Sequence, residues 1–531
     1  MKTHHADVWI IGSGAAGLTA AIAAREAGAE VGVVGKSTPG RGTSTTMAVG
    51  IFSGPWEGLS ANEYKELSLA AGRGLSQPEL LEVMCSDAAD RFQDLIDWGL
   101  NSKSDPGHFM AQPDDPGTDR APMWGREIVR TQVAKAEELG VRFVNGCLVR
   151  RIDSGPDGVC LSAFSAEDGW QELRGGAVVL AAGGAGGLYL HHDNPQRMTG
   201  DGYALAYQAG AALQDMEFVQ FYPLAIAEPK LPPFVVEPDV ADLGLIINDA
   251  GEDVLEKHGI TQRPVAHHAR DTLSQALFHE IAIEGNEVLL DLTGVNREDW
   301  RANPVLATKE TYFERRYQAF ERPLRISPVA HFAVGGASID VDGATGQAGF
   351  YAAGEAAGGL HGANRMGGNA LTECVVFGHR AGRAAAAWAE GRDQGRAVVA
   401  GEAVAAEAGE PRADADQLKQ ELRQAMWHHG GIRRDAAGLA EGLVLVREIS
   451  AQAHRIRGVN DPAMAEKFLE LQLAGSTAEL ILEAASRRQE SRGAHARSDF
   501  PETDDANWRG HLQVVRENGE DRWSFKEVAA L

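Results

Sequence analysis

Apolar residues occur along this chain in short blocks that end in glycine, and the first block sets the pattern. Residues 7–11 (DVWII) read as a buried strand, and the glycines at 12, 14 and 17 as a turn that opens a helix. The alanine-rich stretch to about residue 27 continues that helix, and residues 30–34 (EVGVV) form a second strand, giving a βαβ unit. Two later apolar runs, 177–182 and 349–353, also end in glycine clusters, as parallel strands do when their carboxyl ends face a ligand. One nucleotide domain is therefore assembled from distant pieces, residues 1–228 and 327–397. Between them, residues 229–326 are richer in charge and proline and lack the glycine signals, so they read as an inserted domain over the ligand cleft. After about residue 392 the composition changes again. Helical periodicity over 417–426, 436–454 and 463–488 predicts a C-terminal helical domain within 412–531, reached through a low-complexity linker at 397–415.

Composition narrows the function. The chain has 531 residues, 44% hydrophobic and 24% charged, enough for several compact cores. Its formal charge of −25 disfavours nucleic acid and anionic membrane as partners, so a small anion must be caught by a few placed cations. Cys85, Cys147, Cys160 and Cys374 are scattered without CxxC spacing, which supports no iron–sulfur cluster, zinc site or disulfide framework and fits a reducing compartment. The adjacent histidine pairs at 191–192, 267–268 and 428–429 point in different directions on a helix, so no metal site is expected. No run approaches about 18 apolar residues, and the first apolar block holds the glycine fingerprint that signal cleavage would destroy. A cytoplasmic protein without a membrane span is expected.

Gly12, Gly14 and Gly17 make GxGxxG directly after a strand and at a helix start, where backbone must approach a pyrophosphate. The acidic residue usual at the end of the second strand is absent; Gly35 and Lys36 stand there, so ribose recognition departs from the simplest NAD pattern. There is no second mid-chain GxGxxG for a nicotinamide cofactor. Glycine recurs instead at 183–187 and at Gly354, beside Glu355, after apolar strands, and FAD demands that longer cradle.

Eight ordered segments now carry a resemblance. They are IIGSGAAGL at the start, VVLAAGGAGGLY from Val178, TGDGYALAYQAGA from Thr199, DMEFVQFYP from Asp215, HHARDTLSQALFHEI from His267, HFAVGGASID from His331, YAAGEAAGGLHGANRMGGNALTECVVFG from Tyr351 and SRGAHARSDFPETDDANW from Ser491. Over nearly its whole length the chain resembles the succinate dehydrogenase and fumarate reductase flavoprotein family, which includes L-aspartate oxidase. The resemblance implies an α/β fold: a Rossmann-like FAD-binding domain, an inserted α+β capping domain and a C-terminal helical domain. It implies that Arg270 exchanges a proton with the substrate carbon while flavin N5 handles the hydride, with Glu237 as the carboxylate that relays for a guanidinium otherwise locked in its charged form. His331 and Arg365 would hold a substrate carboxylate, Arg365 by its planar fork. Expected cofactor contacts are the fingerprint glycines with Ala15 and Ala16, then Gly35, Lys36, Thr43, Ser44, Thr45, Ala181, Ala182, Gly183, Asp201, Gly354, Glu355, Arg365, Ala370 and Leu371.

Three departures from the family bear on function. Respiratory members attach the flavin to a histidine where this chain has Thr43, so the FAD is expected to be non-covalent. The family's QFHPT becomes QFYPL, with Tyr222 for the histidine, and its TEG becomes VEP, with Val236 for the threonine. Ala48 stands at the family's flavin-side glutamine. Half of a dicarboxylate pocket is thus rebuilt, since a lost hydroxyl leaves a buried anion with one fewer donor. The expected reaction is hydride and proton transfer on a small carboxylate-bearing substrate other than plain succinate or fumarate. Alternatives are an amine oxidation like that of L-aspartate oxidase, or an electron-transfer subunit working with an iron–sulfur or other redox partner.

Overall fold

The computed structural model describes residues 1–113, 123–229, 231, 233–392, 414–455 and 461–528. The elements that position the site are, in chain order, β1 (Val8–Ile11), α1 (Ala15–Glu26), β2 (Val31–Gly35), β3 (Arg142–Asn145), β4 (Ala177–Leu180), β5 (Val219–Ile226), α2 (Arg270–Phe278), β6 (Leu324–Ala333), β7 (Phe350–Ala352), α3 (Asn369–Ala389), α4 (Ala415–Gly430), α5 (Ala436–Arg455), α6 (Pro462–Arg487), β8 (Gly510–Glu517) and β9 (Glu520–Glu527). Five parallel strands make the central sheet in the order β7-β4-β1-β2-β3. Their near-continuous apolar character follows from burial on both faces: every residue of β1 and β4 is buried. On one side α1, alanine-rich and buried from Ala15 to Ala24, packs against α3.

β5 and β6 leave this domain as a long antiparallel pair and form a five-stranded sheet with Phe234–Val235, Val288–Asp291 and Leu245–Asn248. That sheet and its helices have their own apolar core, drawn from Leu224 to Ile326. α4, α5 and α6 run over the three stretches of helical periodicity, and the side chains of Asp414 and Asp461 cap α4 and α6. The final segment is not helical throughout. β8 pairs with Leu213–Gln214, and the β8–β9 hairpin extends a sheet of the nucleotide domain. The linker expected over 397–415 lies, as far as residue 413, outside the described residues. Among the described residues no helix is long and apolar enough to cross a membrane.

Candidate active site

Strand register builds the cradle. Val34 pairs with Ile11, Ile11 with Leu180 and Leu180 with Ala352, so four strand ends finish in one row, each running on into glycine or alanine. Gly12 adopts φ +106°, and a Cβ there would collide with the Ala181 carbonyl oxygen, so only glycine lets the turn close. Gly14 caps α1 without a side-chain hydrogen bond and the first turn carries no acid. Its Ala15 N–H donates to Thr45 Oγ at 3.1 Å. The helix N-terminus, with its partial positive charge, is thus open to an anion. Thr43 caps the short helix Ser44–Met47, accepting from the Thr46 N–H at 3.2 Å.

A cavity of about 990 Å³ runs from this turn to the inserted domain, the scale of a cofactor together with a small substrate. Arg270, Glu237, His331 and Arg365, together with Tyr222 and all but three of the expected cofactor residues, line it. Gly17 instead packs α1 on the Gly12 carbonyl, and Gly354 sits against Ala16 and Cys374. Asp201 accepts from Lys36 Nζ at 2.9 Å, and Glu470 of α6 accepts from the same ammonium at 3.3 Å. Burial opposes the Lys36 charge, but the two carboxylates more than offset it and raise the ammonium above its ordinary value. Acidic groups absent from the end of β2 thus arrive from two distant segments, and they tie the C-terminal helices to the cradle. An extended groove, an open helix N-terminus and turns that exclude a Cβ fit FAD.

At the other end of the cavity, β5 and β6 carry Tyr222 and His331. The ladder slips between Gln220 and Phe221 and again between Tyr222 and Ala225, and such irregularities re-aim side chains. The Tyr222 and His331 rings lie 5.5 Å apart, and His331 Nδ1 is 2.6 Å from Asp193 Oδ2, which leaves Nε2 for a ligand. Arg270, at the start of α2, places its guanidinium 4.8 Å from the centre of the Tyr222 ring. Among the described residues that guanidinium has no carboxylate partner. Burial pushes the Tyr222 hydroxyl up to about 12 against the pull of Arg270, so the phenol is neutral. Arg365 is only 8% exposed, and burial pushes it down to about 10 while Glu355 pulls the other way and Arg270 adds to the drop. Its Nη1 donates to the Met366 carbonyl at 3.2 Å, and its buried Nε has no partner among the described residues. Burial likewise pushes Glu355 up to about 8, although it accepts the Ala333 N–H at 2.9 Å. A buried guanidinium with an idle donor and a histidine held by aspartate thus line the same cavity.

Glu237, expected beside Arg270, is ion-paired with Lys309, whose side chain is almost wholly buried in the cavity wall. Val236 is also wholly buried but belongs to the core of the inserted domain; its neighbour Val235 faces the cavity, as does Ala48. Lys309 and Asp193 are cavity-lining residues that sequence reading missed. Neither lies in a distinctive motif; their partners stand 72 and 138 positions away.

Comparison with known proteins gives the family. Residues 7–371 match the FAD binding domain family and residues 419–530 the family described as fumarate reductase flavoprotein C-term. The chain is similar to L-aspartate oxidase of Caulobacter vibrioides, 32% identical with 93% of each chain covered. It is similar to a subunit of the CoM/CoB fumarate reductase of Methanothermobacter marburgensis, 29% identical over 94% of this chain and 96% of that protein. Among solved structures, Mycobacterium smegmatis Sdh1 in complex with UQ1 superposes with a TM-score of 0.86 at 28% identity, covering 100% of this chain and 95% of that one.

Proposed function

From the premise that this chain belongs to the FAD-dependent oxidoreductase family of fumarate reductase and succinate dehydrogenase flavoproteins and L-aspartate oxidase, we propose that it adds or removes two hydrogens across a carbon–carbon bond next to a carboxylate. FAD supplies the hydride chemistry at its N5. The observation that carries this reading is Arg365, buried with an idle Nε in the cavity that His331 also lines, and within electrostatic reach of an Arg270 that no carboxylate neutralises among the described residues. Arg365 and His331 hold the substrate carboxylate. Arg270 moves the proton, and its own exposure gives the guanidinium contact with water as a proton reservoir while Glu237 is engaged by Lys309. With Tyr222 on the cavity wall in place of the family's histidine, and Val236 withdrawn into the core of the inserted domain, fumarate, succinate and L-aspartate are poor substrates. The four cysteines are unpaired, which supports a reducing, cytoplasmic setting.

The test is to reduce the protein with dithionite under anaerobic conditions, mix it with a panel of unsaturated acids and follow flavin reoxidation. Saturable reoxidation by one of them is the expected result. A flavin that stays reduced with every acid refutes the proposal. A second reading, amine oxidation with oxygen as acceptor, draws on the similarity to L-aspartate oxidase; it predicts hydrogen peroxide on aerobic incubation with amino acids. Similarity to a protein that works as one subunit of a reductase supports an electron-transfer partner, and turnover by the isolated chain distinguishes dependence on one.

A further inference from the structure

Resting on the reading above, in which Arg365 takes the substrate carboxylate, we propose that Lys309 and Glu237 form the subsite for the opposite end of the substrate, and that this end is a neutral carboxamide and not a second carboxylate. The argument starts from unused hydrogen-bonding capacity. Lys309 is 3% exposed and donates to Glu237 Oε1. An ammonium has three N–H donors, so this pairing leaves donors over. The other carboxylate oxygen, Glu237 Oε2, is buried and has no partner among the described residues. Both side chains line the cavity. Beside them Val235 and Thr308 also face the cavity, and the Phe234 ring lies 5.7 Å from the ammonium. Buried polar groups normally find partners, so an idle donor and an idle acceptor side by side on a cavity wall define what fits between them.

One cavity holds both groups: Arg365, Arg270, Tyr222, Lys309 and Glu237 all line it, and the Arg270 guanidinium lies 4.8 Å from the centre of the Tyr222 ring. Arg270 acts electrostatically on both Arg365 and Tyr222, and Glu237 acts on Tyr222. A substrate carboxylate at the second position would gain from Lys309 but face the ionic charge of Glu237 in a water-poor wall. A terminal ammonium would meet the reverse conflict. A carboxamide satisfies both groups at once, its carbonyl oxygen accepting from Lys309 and its N–H donating to Glu237 Oε2. The replacement of the family's histidine by Tyr222 on the cavity wall is then a change of specificity and not a decay of the pocket.

The experiment uses the FAD-loaded full chain. Oxidised protein is titrated with succinamate and with succinate, reading the flavin difference spectrum, and reduced protein is mixed with fumaramate and with fumarate in single turnover. Wild type is compared with Glu237→Gln, which keeps shape and the lysine charge, and with the double variant Glu237→Gln, Lys309→Met, which leaves no buried charge unpaired; melting curves confirm that each is folded. Succinamate should bind on the order of tenfold or more tighter than succinate, the cost of one unmatched buried polar group, and the preference should shrink or reverse in both variants. Equal or tighter binding of succinate by wild type overturns the proposal, as does an undiminished amide preference in Glu237→Gln. If the amide binds preferentially but fumaramate leaves the flavin reduced, the subsite stands and the reaction assigned to the site fails. If fumarate reoxidises the flavin without any amide preference, the reaction stands and the subsite fails.

Discussion

Replacing Arg270 with lysine separates proton transfer from binding and folding. The substitution keeps a positive charge at the start of α2 but removes the planar fork. The structure limits what stability can be lost. Arg270 has no ion pair to break among the described residues, and its contact is the Tyr222 ring at 4.8 Å. A cation over an aromatic ring at an exposed site contributes about 0.5–1 kcal/mol, part of which lysine retains, so the melting temperature should fall by no more than a few degrees. The chemical step should fall by about 10²- to 10⁴-fold, the usual contribution of a general acid or base, equivalent to roughly 2.7–5.4 kcal/mol in the barrier. Stopped-flow single turnover of the flavin measures the step directly, because binding can be saturated and product release does not enter. Reoxidation at the wild-type rate, with the fold intact, would remove Arg270 from proton transfer and move the search to Tyr222.

Arg365→Lys should act on binding as well, weakening the carboxylate-bearing ligand by about tenfold or more in a flavin-monitored titration, since a fork becomes a point charge; unchanged affinity would exclude Arg365 as the receptor. Acid precipitation should release all FAD into the supernatant, because Thr43 offers no imidazole for a covalent bond; flavin left on the pellet contradicts this. Gly12→Ala forces a side chain to φ +106° and into the Ala181 carbonyl, a strain of about 1–3 kcal/mol that should appear as sub-stoichiometric flavin in purified protein. His511 on β8 is buried and lies 2.6 Å from Asp215; burial lowers it, but the charge and hydrogen bond of Asp215 more than offset this and raise it above its ordinary 6.5. The folded state therefore holds that proton more tightly than the unfolded chain, so the stabilisation is full below pH 6.5 and is lost as pH rises through the raised value. Urea midpoints should decline over that range in wild type and decline less in His511→Gln; equal slopes would refute the assignment.

Local signals in the chain sufficed for much of the cradle. DVWII followed by GxGxxG can be read as strand, turn and helix because burial on both faces requires a continuous apolar run and the turn requires a residue without a Cβ. The segments around Gly183 and Gly354 were found the same way, and the helices α4 to α6 by their period, whereas Arg365 was singled out through the family resemblance. The C-terminal hairpin escaped because β9 is largely exposed and its strand identity depends on pairing, through β8, with Leu213–Gln214 almost three hundred residues earlier. The meeting of Lys36 with Asp201 and Glu470, the support of His331 by Asp193 and the pairing of Glu237 with Lys309 were decided by tertiary structure alone. Periodicity and glycine placement act over a few residues and are written in the local sequence. The partner of a buried charge is set by which distant elements the topology brings within hydrogen-bond reach, and no local pattern encodes that distance.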